Sequence, residues 1–402
     1  MSTGTASSPS RATTAGVSIV RNLSRGLTRY PGLTITSVFF LALLGALHLR
    51  GIPWGSSLSE FLAPYVAISA QSMAYAVLLC GIGMPKQTVL AFKERYQHSL
   101  PRLMVLILLA GLFFVLFPTL AGCVFLLLAI FILEVYERGI PFRWLLQPLL
   151  PGIYLFIGLI CVFGYNAVLV TERSADYSHV LARLDSSLLF GHSVSELAHR
   201  FAAAAPAGVT NLLMVSYFAL FAQVGATLLL LSFATGRSEA MRFVSGILLA
   251  YFFTMTIWAF FPTFDPHFSC VTHADAGFPR MVMDGQFALR EQLRSRQHHL
   301  PVPLGTEYYV SFPCMHVAQP LIALWFLRKW RRIVWFLIPI DLLIVAATVL
   351  FEWHYAVDLI GAVIVAAAAI AVTERFAKPR NHRSQGSIAF VPQEPATAAR
   401  VY

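Results

Sequence analysis

The chain has 402 residues, 57% of them hydrophobic and only 12% charged, about half the roughly 25% charged share of soluble domains. Its 29 Lys and Arg against 19 Asp and Glu give a formal +10, yet mean hydropathy is +0.70. These figures exclude a disordered chain, a disulfide-knit secreted scaffold and an ordinary soluble enzyme, and the apolar runs are too long for a soluble nucleic-acid binder.

Residues 1–30 read as a disordered tail, rich in Ser, Thr and Ala and carrying Arg11, Arg21, Arg25 and Arg29. Residues 31–140 read as N-terminal transmembrane helices, because runs of about 20 apolar residues cross a bilayer core. Leu33–Leu49 and Phe61–Met84 form an opening pair. Leu103–Val135 is long and contains Pro118; it reads as a tight hairpin, with one long tilted helix as the rival. Further runs follow at Leu145–Val170, Ala207–Phe233, Phe243–Phe261, Met315–Leu327, Ile333–Phe351 and Tyr355–Val372. Residues 377–402 form a second polar tail. The predicted fold is thus an all-α polytopic bundle of about ten spans.

Short loops rich in Lys and Arg stay cytoplasmic. Placing Arg328, Lys329, Arg331 and Arg332 inside, with both tails and the Lys86–Arg102 and Arg138–Arg143 loops, orients the chain. Two long loops, Thr171–Pro206 and Pro262–Val310, then face the non-cytoplasmic side. Within the first, Leu184–Leu189 and Leu197–Ala204 read as short amphipathic segments, lying at the interface or capping the bundle. Cys270 and Cys314 fall on the same outer side, where a disulfide could join them.

Ionisable residues at membrane depth mark function more often than chance. Two clusters qualify, and both open a span on the outer face. One is Ser311-Phe312-Pro313-Cys314-Met315-His316; the other is Glu352-Trp353-His354-Tyr355-Ala356-Val357-Asp358. The helical hairpin between them predicts that His316 and His354 are neighbours. His354 and Asp358 are four apart and share a helix face. The carboxylate can accept one imidazole N–H and leave the other nitrogen nucleophilic. His316 follows a proline at a helix N-terminus, whose N–H groups favour phosphate. A zinc site of His316, His354 and Asp358 is a rival reading of the same residues.

These residues resemble the type 2 phosphatidic acid phosphatase superfamily, in particular its inositol phosphorylceramide synthase-like branch. Phe312-Pro313-Cys314-Met315-His316 is similar to that branch's Phe-Pro-Ser-x-His motif. His354-Tyr355-Ala356-Val357-Asp358 is similar to its His-Tyr-x-x-Asp motif, and Leu184-Asp185 to Phe190-Gly191 resembles a segment preceding the core. The resemblance implies a six-helix catalytic core within residues 141–376. It implies His354 as nucleophile, Asp358 as its orienter and His316 as acid–base, with a phosphohistidine intermediate. The implied substrate is a lipid phosphate or phospholipid, with water or an alcohol such as inositol as acceptor. No cofactor, metal or nucleic acid is implied. Ser311, Cys314, Met315 and Tyr355 are expected to line the phosphate, with Arg280 from the outer loop as the cation.

The chain also departs from the pattern. Cys314 replaces the motif serine, and Ala347-Thr348 stand where Ser-Arg would be. No Lys-x6-Arg-Pro motif exists, and Phe261–Pro266 occupies its place. A less cationic site suits a monoanionic phosphodiester better than a phosphomonoester. The alternative reading is a degenerate member that binds or moves lipid without chemistry.

Overall fold

The computed structural model describes residues 30–38, isolated positions between 75 and 82, most of 147–161, and residues 177–266 and 311–377. The Pro118 hairpin, the ten-span count, Arg280 and Cys270 lie outside the described residues.

Every regular element among the described residues is helical. Within residues 177–377 two short helices come first: α1 (Ser178–Leu188) and α2 (Val194–Ala204). Five apolar helices follow: α3 (Ala207–Ala234), α4 (Arg237–Phe260), α5 (Met315–Leu327), α6 (Arg331–Leu350) and α7 (Ala356–Ala377). Four are long and apolar enough to cross a membrane: Ala207–Ala234, Arg237–Phe260, Arg331–Leu350 and Ala356–Phe376. They mark the chain as a membrane protein. Gln147–Leu159 and Met315–Leu327 are shorter apolar helices.

The bundle packs α3 against α4, α5 and α6, and α7 against α4 and α5. Its core is built from Leu220, Phe243, Ile247, Ile322, Phe326 and Ala366, all at most 2% exposed. Gly236, at φ +94°, makes the sharp turn from α3 into α4. At α7, Gly361 lets the Phe312-Pro313 segment approach; a Cβ there would stand 2.6 Å from the Phe312 ring.

Ion pairs lock one end of the bundle. Arg242 on α4 bonds Glu239 and, across to α7, Glu374, each at 2.6 Å. Glu374 also accepts from Trp325 Nε1 and lies 3.6 Å from Arg328. The α5–α6 turn with its basic residues lies at this end. The chain then returns along α6 to the opposite end, where His354 meets the start of α5.

The two outer helices start earlier than the apolar pattern suggested. Ser193 caps α2 by accepting the Glu196 N–H at 3.0 Å, the sequence pattern of a capping box. On α1 the apolar residues Val180, Leu184 and Leu188 point outward, 40–47% exposed, and Phe190 beyond them is 96% exposed. The other side of α1 buries Leu181 and Asp185 and packs on α7.

Candidate functional site

The site forms where the loop after α6 meets the start of α5. The α6 C-terminus closes on itself: the N–H groups of Trp353 and His354 both reach the Thr348 carbonyl, at 3.1 and 3.0 Å. Glu352, at φ +57°, makes the reversal. This turn fixes the backbone of His354. Tyr355 then stands at the N-cap of α7, and a tyrosine there cannot cap the helix through its own side chain. Asp358, in the first turn, accepts the Tyr355 N–H at 2.9 Å, the returning half of a capping box. The next two N–H groups, of Ala356 and Val357, donate to the Asp185 carboxylate of α1 at 3.0 and 2.8 Å. Asp185, 1% exposed, is therefore a cap supplied from 171 residues away.

Asp358 gathers the site around one oxygen. Its Oδ2 accepts from Ser311 Oγ at 2.5 Å and lies 3.2 Å from His354 Nδ1. His354 Nδ1 comes closer still, 2.8 Å, to the Ser311 carbonyl. Both acceptors hold the proton on Nδ1 and leave Nε2 to face the site. That Nε2 lies 3.3 Å from His316 Nδ1. The predicted proximity of the two histidines thus stands as direct contact, with ring centroids 5.4 Å apart.

On its far side, His316 Nε2 meets the Tyr217 hydroxyl of α3 at 2.7 Å. The two rings stack, with centroids 4.5 Å apart, and Trp353 backs Tyr217 at 4.0 Å. Tyr217 is 1% exposed. A continuous chain results: Asp358, His354, His316, Tyr217. Tyr217 did not figure in the sequence reading, because a tyrosine in an apolar helix looks like packing.

The residues expected to line the phosphate divide. Ser311 is fully buried and gives its hydroxyl to Asp358. Its role in this geometry is to hold Asp358 and His354. Met315 packs into the bundle core, and Tyr355 is buried with its N–H on Asp358. Cys314 is a free, fully buried thiol among the described residues, and the disulfide considered with Cys270 involves a residue outside them. The Cys314 sulfur lies within 4.8 Å of a ring nitrogen of each of the two histidines. The zinc set read from the sequence changes accordingly. Asp358 serves Nδ1 of His354, and Cys314 takes its place beside the two histidines.

The segment in the position of the missing basic motif also reaches the site. Thr263 accepts from the Ser311 N–H through its carbonyl and from the Phe312 N–H through its hydroxyl, at 3.4 and 3.2 Å. Trp258 Nε1 donates to the same carbonyl at 3.1 Å. Asp265, 3% exposed, follows it. Burial pushes the Asp265 carboxyl well above the usual carboxylate range; His354 opposes the shift and the Asp358 charge adds to it. Asp185 is raised as well, by burial, against the pull of its two backbone donors. For His354, burial works downward, but the Cys314 sulfur and Asp358 outweigh it and hold the imidazole well above its ordinary value.

The arrangement can hold and pass protons along one line. It offers a nucleophilic nitrogen with a fixed tautomer, a second imidazole within proton-transfer distance, and a carboxylate that stabilises positive charge on the first. Residues 179–372 match a family model described as the PAP2 superfamily. No curated protein and no solved structure matches the chain.

Proposed function

We propose that this protein is an integral-membrane enzyme of the PAP2 type that acts on a lipid phosphoester through a phosphohistidine. The observation that carries the reading is the His354–His316 contact, backed on one side by Asp358 and Ser311 and on the other by Tyr217. The match of residues 179–372 to a superfamily of phosphatase-type proteins supports the same chemistry.

In the proposed resting site a proton shared by the two rings sits on His354 Nε2 and points toward His316 Nδ1, 3.3 Å away. A phosphoryl group entering between the rings replaces this contact, and the proton passes to His316. His354 Nε2 then forms a bond to phosphorus while the bond to the leaving oxygen breaks. His316 delivers the proton to that oxygen. Asp358 stabilises the positive charge left on His354. In the second half His316 takes a proton from the acceptor hydroxyl, which attacks phosphorus and frees His354. Water gives hydrolysis; an alcohol such as inositol gives transfer. Acid–base help of this kind contributes about 10²–10⁴ in rate.

The Asp358 carboxylate beside His354 favours a phosphodiester, with one negative charge, over a phosphomonoester dianion. This supports the synthase-like branch and head-group transfer. Arg280 of the outer loop is the proposed cation. The basic α5–α6 turn supports a cytoplasmic assignment for that end, which puts the site on the non-cytoplasmic face. There the exposed apolar side of α1 would lie in the interface beside the site and guide lipid toward it.

The test uses purified full-length protein in detergent with EDTA, offered lipid phosphomonoesters and phosphodiesters with and without alcohol acceptors. Turnover of at least one class is expected, unaffected by EDTA and abolished by His354→Ala. Full activity in that variant would overturn the mechanism. A folded wild-type protein that binds these lipids without turning any over would favour the non-enzymatic alternative.

A further inference from the structure

The groups that face one another in the site have a second capability. His316 Nδ1 and His354 Nε2 are 3.3 Å apart, and the Cys314 sulfur lies within 4.8 Å of a ring nitrogen of each histidine. Two imidazole nitrogens bound to one tetrahedral zinc at about 2.0–2.1 Å sit about 3.3 Å from each other. The histidine pair therefore already has the separation that a shared ion requires. With the Cys314 sulfur, the three side chains offer one ligand atom each within 4.8 Å of one another.

The surroundings suit an ion equally well. Metal-binding histidines usually donate their second ring N–H to a carboxylate, a carbonyl or water, which fixes the ring and frees the other nitrogen. His354 does this toward the Ser311 carbonyl and Asp358. His316 has the Tyr217 hydroxyl on Nε2. A hydroxyl both donates and accepts. It can accept from Nε2–H both when Nδ1 accepts the His354 proton and when Nδ1 binds an ion. Thiolate and imidazole together select zinc over hard cations such as magnesium and calcium, which prefer oxygen.

We propose that Cys314, His316 and His354 form a site for a thiophilic divalent cation, Zn²⁺ fitting best, and that its occupancy switches off phosphoryl transfer. The switching role rests on the proposed function; the site itself does not. On binding, the Cys314 thiol and His354 Nε2 each release a proton to solvent, and a sulfur–metal bond forms. The same ion takes the lone pair of His354 Nε2, which can then no longer attack phosphorus. The metal is an inhibitor in this scheme, and the reaction needs none.

Full-length protein in detergent, stripped with chelator, is titrated anaerobically with Co²⁺ as the spectroscopic probe, and then with Zn²⁺. Wild type should bind one equivalent in a tetrahedral site with a thiolate-to-cobalt absorption band, and Zn²⁺ should displace it. Cys314→Ser should lose that band, and His316→Ala should weaken binding at least tenfold. Both variants are checked for folding by thermal melt. In the turnover assay, Zn²⁺ should inhibit wild type reversibly, with EDTA restoring activity, and at least tenfold more Zn²⁺ should be needed for Cys314→Ser. A Cys314-dependent band in a protein without turnover upholds the site and counts against the phosphoryl-transfer reading alone. Turnover without such a band overturns the site. Stimulation by Zn²⁺ overturns the inhibitory role.

Discussion

At the scale of single residues, the site is a proton line with a carboxylate at one end and a phenol at the other. Tyr217 holds His316 through one 2.7 Å bond and a stacked ring. Tyr217→Phe keeps the ring and removes the bond. Hydrogen bonds to charged groups are worth about 1.5–3 kcal/mol, so kcat should fall roughly 10–100-fold. KM should change little, because in the proposed mechanism the hydroxyl serves the acid–base imidazole. An unchanged kcat would show that Tyr217 only packs.

The pH profile tests the same line. In the proposed mechanism the working pair holds one proton, so kcat/KM should be bell-shaped. Its alkaline limb reports loss of that proton and should lie above the ordinary imidazole value of about 6.5, because His354 is raised. Asp358→Asn removes a charge that favours the imidazolium, so the alkaline limb should move to lower pH along with the loss of rate. A limb that stays in place would separate Asp358 from the titrating group. The His354–Asp358 pair was legible in the sequence because i,i+4 spacing is local. Tyr217 was not, since its partner is 99 residues away and nothing in an apolar helix distinguishes a bonded phenol from a packed one.

At the scale of elements, the central device is a helix capped by its neighbour. The N-terminal N–H groups of α7 are satisfied by Asp185 of α1, where the helix dipole also favours a carboxylate. Asp185→Ala should cost about 1–2 kcal/mol, the usual value of an N-cap, seen as a lower melting temperature. Because α7 carries Asp358 and follows His354, kcat should fall as well, while Asp185→Asn should recover part of both losses. Unchanged stability and activity in the alanine variant would mean that water replaces the cap without cost. The sequence made Leu184-Asp185 noticeable only through a resemblance. The physical reason for it, an N-cap tyrosine with no capping side chain, needs the fold. The capping box at Ser193-Val194-Ser195-Glu196, in contrast, was there to be read, and would have placed the start of α2 correctly.

At the scale of the whole molecule, the described helices form a bundle with two unlike ends. One is tied by Arg242, Glu239, Glu374 and Arg328; the other carries the histidines. The α5–α6 hairpin that separates them was legible from two apolar runs joined by a four-cation turn. The proposed orientation puts that turn in the cytoplasm. Single cysteines at Lys329 and Ser187, both exposed, report on it through a membrane-impermeant thiol reagent. Above the wild-type background, Ser187→Cys should label in intact cells, and Lys329→Cys only after permeabilisation. The reverse pattern would invert the protein and move the chemistry to the cytoplasmic face.

In the proposed mechanism His354 becomes covalently phosphorylated. Full-length protein is mixed with a lipid phosphoester carrying radioactive phosphorus, quenched in alkali, where phosphohistidine survives, and mapped by peptide. Wild type should carry label on the His354 peptide, lost on acid treatment, and His354→Ala should carry none. Turnover in wild type with no label at His354, or label that persists in His354→Ala, would contradict the account.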